Sequence, residues 1–179
     1  WTPAGAAPVL WMSEKSDFEA GKPLRGGIPL CFPWFGPGRP GNLAPGHGFA
    51  RLAQWTLTKA EVDDAGVATL RFHLSADDCR GVAGAESWTA DFTADLTVVF
   101  GPELDVTFEV TAGDAPIDFE EAMHTYLAVG DIGQVRVVGL DGADFLDKVA
   151  GERRVQEGDV VFTGETDRVY DSTAAVRVE

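Results

Sequence analysis

The chain has 179 residues, of which 45% are hydrophobic, and a domain of that size can bury a sizeable core without disulfides or metals. Its formal net charge of −15 and pI near 4.4 disfavour nucleic acid and anionic membrane surfaces as partners. No apolar run approaches the roughly 18–20 residues that a membrane helix needs, so no membrane association is predicted.

The first distinctive segment, residues 26–50, is rich in glycine, proline and aromatic residues. Proline cannot donate to a strand ladder or a helix interior, so the run from Gly26 to Gly38 is expected to form neither a central strand nor a helix. We predict an ordered surface loop packed by its own rings. Such loops often collect binding groups, and this one carries His47 between two glycines, four residues before Arg51.

From Trp55 onward, apolar and polar residues alternate between regularly spaced turn residues, which is typical of antiparallel strands. A strand is predicted over residues 69–74, after a glycine-containing turn. The clearest hairpin follows, because residues 92–100 lead through Gly101-Pro102-Glu103 into residues 104–110 with the same alternation. We expect this pair of strands to be central in its sheet.

The C-terminal third continues the same pattern. Strands are predicted over residues 117–129 and 135–140, with a break at Asp141-Gly142 and further short strands to the end. This spacing indicates an all-β fold, an antiparallel β-sandwich or barrel. The sequence has no internal repeat, low-complexity tract or linker, so we predict a single domain spanning residues 1–179.

The cysteines and the chain ends bear on compartment and completeness. Cys31 and Cys79 are far apart and lack metal-ligand partners at short spacing, so we predict that both are reduced and that the protein is cytoplasmic. No basic region followed by an apolar stretch opens the chain, so no targeting segment is predicted. The chain begins at Trp1 and ends in the alternating segment 176–179, so we expect the fold to be truncated at both ends.

The three histidines differ in their predicted surroundings. His73 falls on the polar face of its strand and is interpreted as a solvated surface residue. His47, in the glycine-rich loop, is open to either a binding or a surface role. His124 lies in a predicted apolar strand, and considered alone it fits a core or interface histidine better than a catalytic one. The residues predicted to share its face are Ala122, Tyr126 and Ala128.

Other chemical signatures are weak. Glu120 would lie about 13 Å from His124 along a strand, and Glu121 would point to the opposite face, so neither is a convincing acid–base partner. No His, Cys or carboxylate pair has the spacing of a zinc or EF-hand site, so no metal is predicted. The glycine-rich segments precede no predicted helix, and a phosphate would therefore have to be held by side chains such as Arg25 and Arg51.

Four sequence motifs are informative when they are considered together. They are RGGIPLCFPWFG at 25–36, HGFAR at 47–51, EAMHTYLAVGDI at 121–132 and GETDRVY at 164–170. Their order resembles the hexose-6-phosphate mutarotases, the glucose-6-phosphate 1-epimerases of the aldose 1-epimerase, or galactose mutarotase-like, superfamily. The resemblance runs from Trp11 to Tyr170 and is weakest over residues 76–90.

The resemblance implies an antiparallel super-sandwich and an isomerase that interconverts the α and β anomers of a hexose 6-phosphate through the open-chain aldehyde. It implies that His124 is the general acid at the ring oxygen. It also implies that Arg25, His47 and Arg51 line the sugar-phosphate pocket and that Asp167 binds sugar hydroxyls. Ring opening requires one proton to be delivered and another withdrawn, tasks suited to an imidazole and a carboxylate, so no metal or organic cofactor is expected.

The same family places its catalytic glutamate in a strand C-terminal to the last of these motifs, and nothing resembling that strand precedes Glu179. We therefore expect that glutamate to lie C-terminal to these residues, and a segment without it lacks its base. Two alternatives stay open: a non-catalytic carbohydrate-binding or regulatory module, and a mutarotase for unphosphorylated aldoses. The predicted partner is a small sugar phosphate, and the sequence predicts no oligomeric state.

Overall fold

The computed structural model of the chain describes residues 1–20 and 22–179. Its residues group into two compact units, Trp1–Ala128 and Val129–Glu179. The prediction of a single domain over residues 1–179 stays a prediction. Within the described residues, no helix is long and apolar enough to cross a membrane.

The described residues of the first unit form antiparallel strands and two short 3-10 helices. Its strands are β1 (Leu30–Cys31), β2 (Thr56–Val62), β3 (Ala68–Ser75), β4 (Phe92–Phe100), β5 (Leu104–Ala112) and β6 (Ala122–Met123). The order β2-β3-β4-β5 forms a four-stranded sheet, and β1 pairs with β6 in a second, two-stranded sheet. The 3-10 helices span Asp77–Cys79 and Ala85–Ser87. The predicted all-β, antiparallel class is confirmed.

The predicted hairpin is present. Strands β4 and β5 pair from Phe92 opposite Ala112 to Phe100 opposite Leu104, and the Gly101 amide donates to the Glu103 carbonyl at 3.0 Å to close the turn. The expectation that both strands are central is wrong for β5, which ends the sheet order. Every second residue of β5 up to position 111 is exposed, because an antiparallel sheet commonly has one face packed on the core and the other face in solvent.

The strand predicted over residues 117–129 is mostly wrong. Only β6 pairs in a ladder, with β1, and Leu127 adds an isolated bridge to Leu10. The ladder breaks because the Thr125 amide donates back to the Met123 carbonyl at 2.8 Å, which tightens the backbone locally. His124 therefore follows a two-residue strand instead of lying within a long one.

The glycine- and proline-rich segment 26–50 supplies the centre of the core. The rings of Phe32, Trp34 and Phe49 are at most 2% exposed. Phe32 packs edge-on against three further rings, with centroid distances of 5.2–5.3 Å to Phe92, Phe108 and Phe119. The prediction of a segment packed by its own rings holds for Trp34 and Phe49, whose centroids are 5.6 Å apart, whereas Phe32 packs against rings from other segments. The segment is not a surface loop, because these rings are buried and β1 lies within it.

The second unit consists of short strands and one 3-10 helix, Ile132–Gln134. The strands are β7 (Arg136–Val138), β8 (Asp144–Asp147), β9 (Glu152–Val155), β10 (Val160–Val161), β11 (Arg168–Tyr170) and β12 (Arg177–Val178). They form two three-stranded antiparallel sheets, in the orders β10-β7-β12 and β11-β8-β9. The strand predicted over residues 135–140 is thus present as β7, and the predicted short strands beyond it are also found.

Both cysteines of the first unit are free and buried, which confirms the prediction that they are not bonded to each other. Cys31 lies in β1 and Cys79 ends a 3-10 helix. Burial raises the pKa of the Cys79 thiol to about 11, and burial also raises the pKa of the Cys31 thiol. Both side chains therefore act as small apolar groups of the core.

A buried carboxylate organises the second unit. Asp147, at the end of β8, is 8% exposed and accepts hydrogen bonds from the amides of Ala150 at 2.9 Å and Val149 at 3.0 Å. The Ala150 hydrogen bond and the charge of Arg154 lower the pKa of this carboxyl below its ordinary value of 3.8, against the opposing effect of burial. The charged carboxylate therefore stabilises the turn that leads into β9.

This lowered pKa predicts how stability depends on pH. A carboxyl with a lowered folded-state pKa stabilises the fold above its unfolded-state pKa, and that contribution is lost as the pH falls through the folded-state value. We expect Asp147→Asn to lower the urea midpoint of unfolding at neutral pH, and the gap to the wild type to narrow in acid, beginning near the ordinary value of 3.8. A gap that stays constant into acid would show that the charge of Asp147 contributes nothing.

Candidate functional site

A cavity of about 210 Å³ in the first unit gathers the side chains singled out in the sequence. Arg25, His47, Arg51 and His124 all line it, so four of the five predicted site residues share one hollow. The remaining lining residues are Pro23, Leu24, Pro29 and Tyr126.

Backbone hydrogen bonds to the 26–30 segment place His124 in the wall. The His124 amide donates to the Pro29 carbonyl and the Tyr126 amide donates to the Gly27 carbonyl, both at 2.9 Å. The backbone is therefore held at alternate residues, which directs the side chains of His124 and Tyr126 to the same side. The prediction that His124 and Tyr126 share a face is therefore correct for these two residues, although the strand before them is short.

Aromatic contacts link the two imidazoles. The ring centroids of His124 and His47 are 5.9 Å apart and nearly perpendicular, at 72°. Tyr126 lies 5.0 Å from His124 on one side, and Phe35 lies 4.7 Å from His47 on the other. Both imidazoles are thus fixed in orientation by neighbouring rings.

His47 sits in a tight turn with left-handed backbone. Its φ is 70°, a conformation that is uncommon for a residue other than glycine. Two reciprocal bonds hold it, because the His47 amide donates to the Gly36 carbonyl at 2.8 Å and the Gly36 amide donates to His47 Nδ1 at 3.2 Å. An Nδ1 that accepts a hydrogen bond carries no proton.

The next residue, Gly48, has to be glycine. Its φ is 71°, and a Cβ at this position would lie 2.1 Å from the carbonyl oxygen of Phe32. The turn that carries His47 therefore lies directly against the backbone of the core segment. This close approach explains the glycine after the histidine in the HGFAR motif.

Two guanidinium groups give the cavity its charge. Arg25 is exposed, and its backbone is anchored by the Ser16 hydroxyl and the Ser13 amide. Arg51 is half-buried and donates from Nη2 to the Gly46 carbonyl at 2.6 Å. Within the described residues, neither forms an ion pair with a carboxylate.

The charged lining residues are therefore all cationic, in a chain whose net charge is −15. Unpaired cations that converge on one hollow attract an anion, and a guanidinium suits phosphate in particular because of its planar fork of donors. The imidazoles add ring nitrogens that can donate or accept a proton. Among residues 1–20 and 22–179, no group of three or more His, Cys, Asp or Glu side chains could hold a metal ion.

Asp167, the fifth predicted site residue, belongs to the second unit. Its carboxylate pairs with Lys148 Nζ at 2.9 Å, and its carbonyl accepts from the Lys148 amide at 2.8 Å. Both side chains are about half exposed, at 54% and 45%. Its role toward a sugar stays a prediction.

Tyr126 was not among the predicted site residues. This residue lines the cavity and stacks at 36° to the plane of the His124 ring. The alternation at positions 124 and 126 was the available signal, and it pointed to a shared face without distinguishing core from cavity.

A larger cavity, of about 900 Å³, is formed mainly by residues 75–93. Its lining carries three acidic side chains, Asp77, Glu86 and Asp91, and no histidine among the described residues. Its one arginine, Arg80, is already paired with Asp77. The smaller cavity is the better candidate because it is lined by two imidazoles and by two guanidinium groups that form no ion pair with a described carboxylate.

Comparisons with known proteins agree on one group of relatives. A family model described as aldose 1-epimerase matches residues 1–178. The chain is 39% identical over 180 residues to a Salmonella typhimurium protein provisionally named glucose-6-phosphate 1-epimerase, covering 99% of this chain and 58% of that protein. An Escherichia coli protein with the same name is 40% identical over 172 residues, covering 95% and 55%.

A solved structure shows the same fold. The crystal structure of YeaD from Salmonella typhimurium, provisionally described as a mutarotase, matches with a TM-score of 0.83 and 38% identity. The match covers 95% of this chain and 55% of that one. The chain thus spans a little over half the length of the relatives it matches, between 55% and 58%.

Proposed function

The chain belongs to the aldose 1-epimerase family, and from this premise we propose that the protein carrying it interconverts the α and β anomers of a hexose 6-phosphate such as glucose 6-phosphate. The names of the relatives from Salmonella typhimurium and Escherichia coli support this substrate. The free, buried cysteines support the proposal that the protein works in the cytoplasm.

The observation that carries the proposal is the composition of the small cavity. Two imidazoles lie 5.9 Å apart beside two guanidinium groups that form no ion pair with any described carboxylate. A sugar phosphate needs both kinds of group. The guanidinium groups can bind its anionic phosphate, and the imidazoles can transfer the protons that opening of its hemiacetal ring requires.

In the proposed reaction, the His124 imidazolium gives its proton to the ring oxygen while a carboxylate withdraws the proton of the anomeric hydroxyl. The bond between the ring oxygen and the anomeric carbon breaks and the aldehyde forms. Rotation about the adjacent carbon–carbon bond presents the other face of the carbonyl, and the same groups then act in reverse to close the ring. No electrons are gained or lost, so the reaction needs no redox cofactor.

The other predicted residues bind the substrate in this proposal. Arg25 and Arg51 hold the phosphate, His47 lines the sugar site beside His124, and Asp167 binds sugar hydroxyls. The carboxylate base in this proposal is a glutamate, as the family resemblance implies.

Anomer exchange by the whole protein tests the proposal. Pure α-glucose 6-phosphate is dissolved with and without the protein, and its approach to equilibrium is followed by polarimetry. We expect the protein to accelerate equilibration well beyond the buffer rate. Binding of the sugar phosphate without any acceleration would overturn the proposal and favour the carbohydrate-binding module instead.

Replacing Arg25 tests whether the phosphate is recognised. We expect Arg25→Met to raise the KM for α-glucose 6-phosphate by about 10- to 100-fold, the loss of one charge-assisted contact, and to leave exchange of free α-glucose unchanged. Arg80→Met is the matched control, because Arg80 is an exposed arginine paired with Asp77 outside the small cavity. Equal effects of Arg25→Met on both sugars would contradict phosphate binding there and favour an unphosphorylated aldose.

A further inference from the structure

Arg51 differs from Arg25 in what it touches within the protein. Its Nη2 donates to the Gly46 carbonyl at 2.6 Å, and Gly46 directly precedes His47. Arg51 also lines the cavity, so one guanidinium contacts both the hollow and the turn that carries an imidazole.

The turn is held at three points. The Arg51 guanidinium bonds the carbonyl before His47, and Gly36 exchanges two hydrogen bonds with His47 itself. Gly48, on the other side, lies against the Phe32 carbonyl. Since His47 has a left-handed φ of 70°, which its own preferences disfavour, these surrounding contacts must maintain its conformation.

Arg51 still has unused hydrogen-bonding capacity. A guanidinium carries five N–H donors in one plane, and the Nε of Arg51 is buried without an acceptor among the described residues. Buried donors without partners are uncommon in folded proteins. The Arg51 guanidinium therefore bonds the turn through Nη2, while its Nε has no hydrogen-bond acceptor among the described residues.

We propose that Arg51 is a positioning residue for His47, and that it couples binding of the substrate phosphate to the placement of that imidazole. This inference rests on the proposed function for its substrate. An anion bound by the remaining donors fixes the guanidinium plane, and the fixed plane holds the Gly46 carbonyl and hence the turn. Binding energy from the non-reacting phosphate is thereby used to orient a group near the reacting carbon.

Arg25 lacks this connection. The contacts that anchor it are made by its backbone to Ser13 and Ser16, and no described hydrogen bond joins its guanidinium to the 46–48 turn. The two arginines therefore differ in their expected kinetic effects, although both line the same cavity.

The experiment compares Arg51→Met and Arg51→Lys with Arg25→Met in the whole protein. For Arg51→Met we expect kcat for α-glucose 6-phosphate to fall by about tenfold or more, the scale of a misplaced group. The fall in kcat for free α-glucose should be smaller, because that sugar has no phosphate to fix the guanidinium plane. Arg51→Lys keeps the charge but lacks the planar fork, so it should recover part of the KM for the phosphate ester and little of the kcat. Arg25→Met removes a phosphate contact that has no bond to the turn, so it should raise the KM of the phosphate ester and lower kcat by less than Arg51→Met does.

A second readout separates this inference from the proposed function. The ring resonances of His47, assigned by their absence in His47→Gln, are recorded by long-range proton–nitrogen correlation without any substrate. We expect them to move in Arg51→Met and Arg51→Lys and to stay in place in Arg25→Met. Unmoved His47 resonances in both Arg51 variants, or an effect on phosphate-ester KM alone, would overturn the positioning role whether or not the protein exchanges anomers.

Discussion

Replacing His124 with asparagine is expected to slow catalysed exchange of α-glucose 6-phosphate by about 10²–10⁴-fold, the usual contribution of one general acid. Asparagine keeps a polar side chain of smaller size but cannot deliver a proton to the ring oxygen at neutral pH. The imidazole it replaces lines the cavity beside His47 and Tyr126. The measurement is the initial rate of optical rotation change in the whole protein at saturating substrate.

His73→Asn is the matched control. His73 lies in β3, bonded through Nδ1 to Asp95 at 3.1 Å, and it does not line the small cavity. Its replacement should leave the exchange rate unchanged. If His124→Asn and the wild type exchange anomers at equal rates, His124 has no part in the mechanism.

The second large effect concerns stability. Phe32→Ala is expected to lower the free energy of unfolding by about 3–5 kcal/mol, the usual cost of removing a buried phenyl ring. The side chain is 0% exposed and contacts the rings of Phe92, Phe108 and Phe119, so truncation leaves a cavity that few neighbours can fill. Urea unfolding followed by tryptophan fluorescence measures the loss.

Phe18→Ala provides the comparison, because the Phe18 ring is 67% exposed. A surface substitution of this kind should change the free energy of unfolding by no more than about 0.5 kcal/mol. Should the two variants prove equally stable, Phe32 would not be the centre of the core.

The parts of the fold that sequence patterns predicted are those with local partners. Strands β4 and β5 are joined by a three-residue turn, and each residue of one faces a residue of the other at short sequence separation. For such strands, the alternation of apolar and polar residues is sufficient to predict the pairing. The same holds for the short strands of the second unit, such as β8 and β9.

The surroundings of His124 could not be predicted in this way. Its backbone partner is the carbonyl of Pro29, almost a hundred residues earlier, in a segment whose prolines obscure any periodicity. The apolar residues within 117–129 suggested a strand, but the ladder to β1 lasts only two residues. The conformation around His124 is thus determined by hydrogen bonds to a distant, irregular segment. Sequence patterns among neighbouring residues cannot predict such bonds.

The grouping of Arg25, His47, Arg51 and His124 likewise came from the family resemblance. Considered alone, each of these residue types is common on protein surfaces. What the structure adds is that they line one hollow and that Arg51 also bonds the turn of His47.

The close approach of Gly48 to Phe32 has a consequence for variation of this protein. His47 and Arg51 line the small cavity, and the three residues between them are buried, so a substitution that suits the cavity also affects the packing of the core. Attempts to alter substrate preference by exchanging residues of 46–51 should therefore often yield poorly expressed protein. Compensating changes are best sought among the rings that surround Phe32.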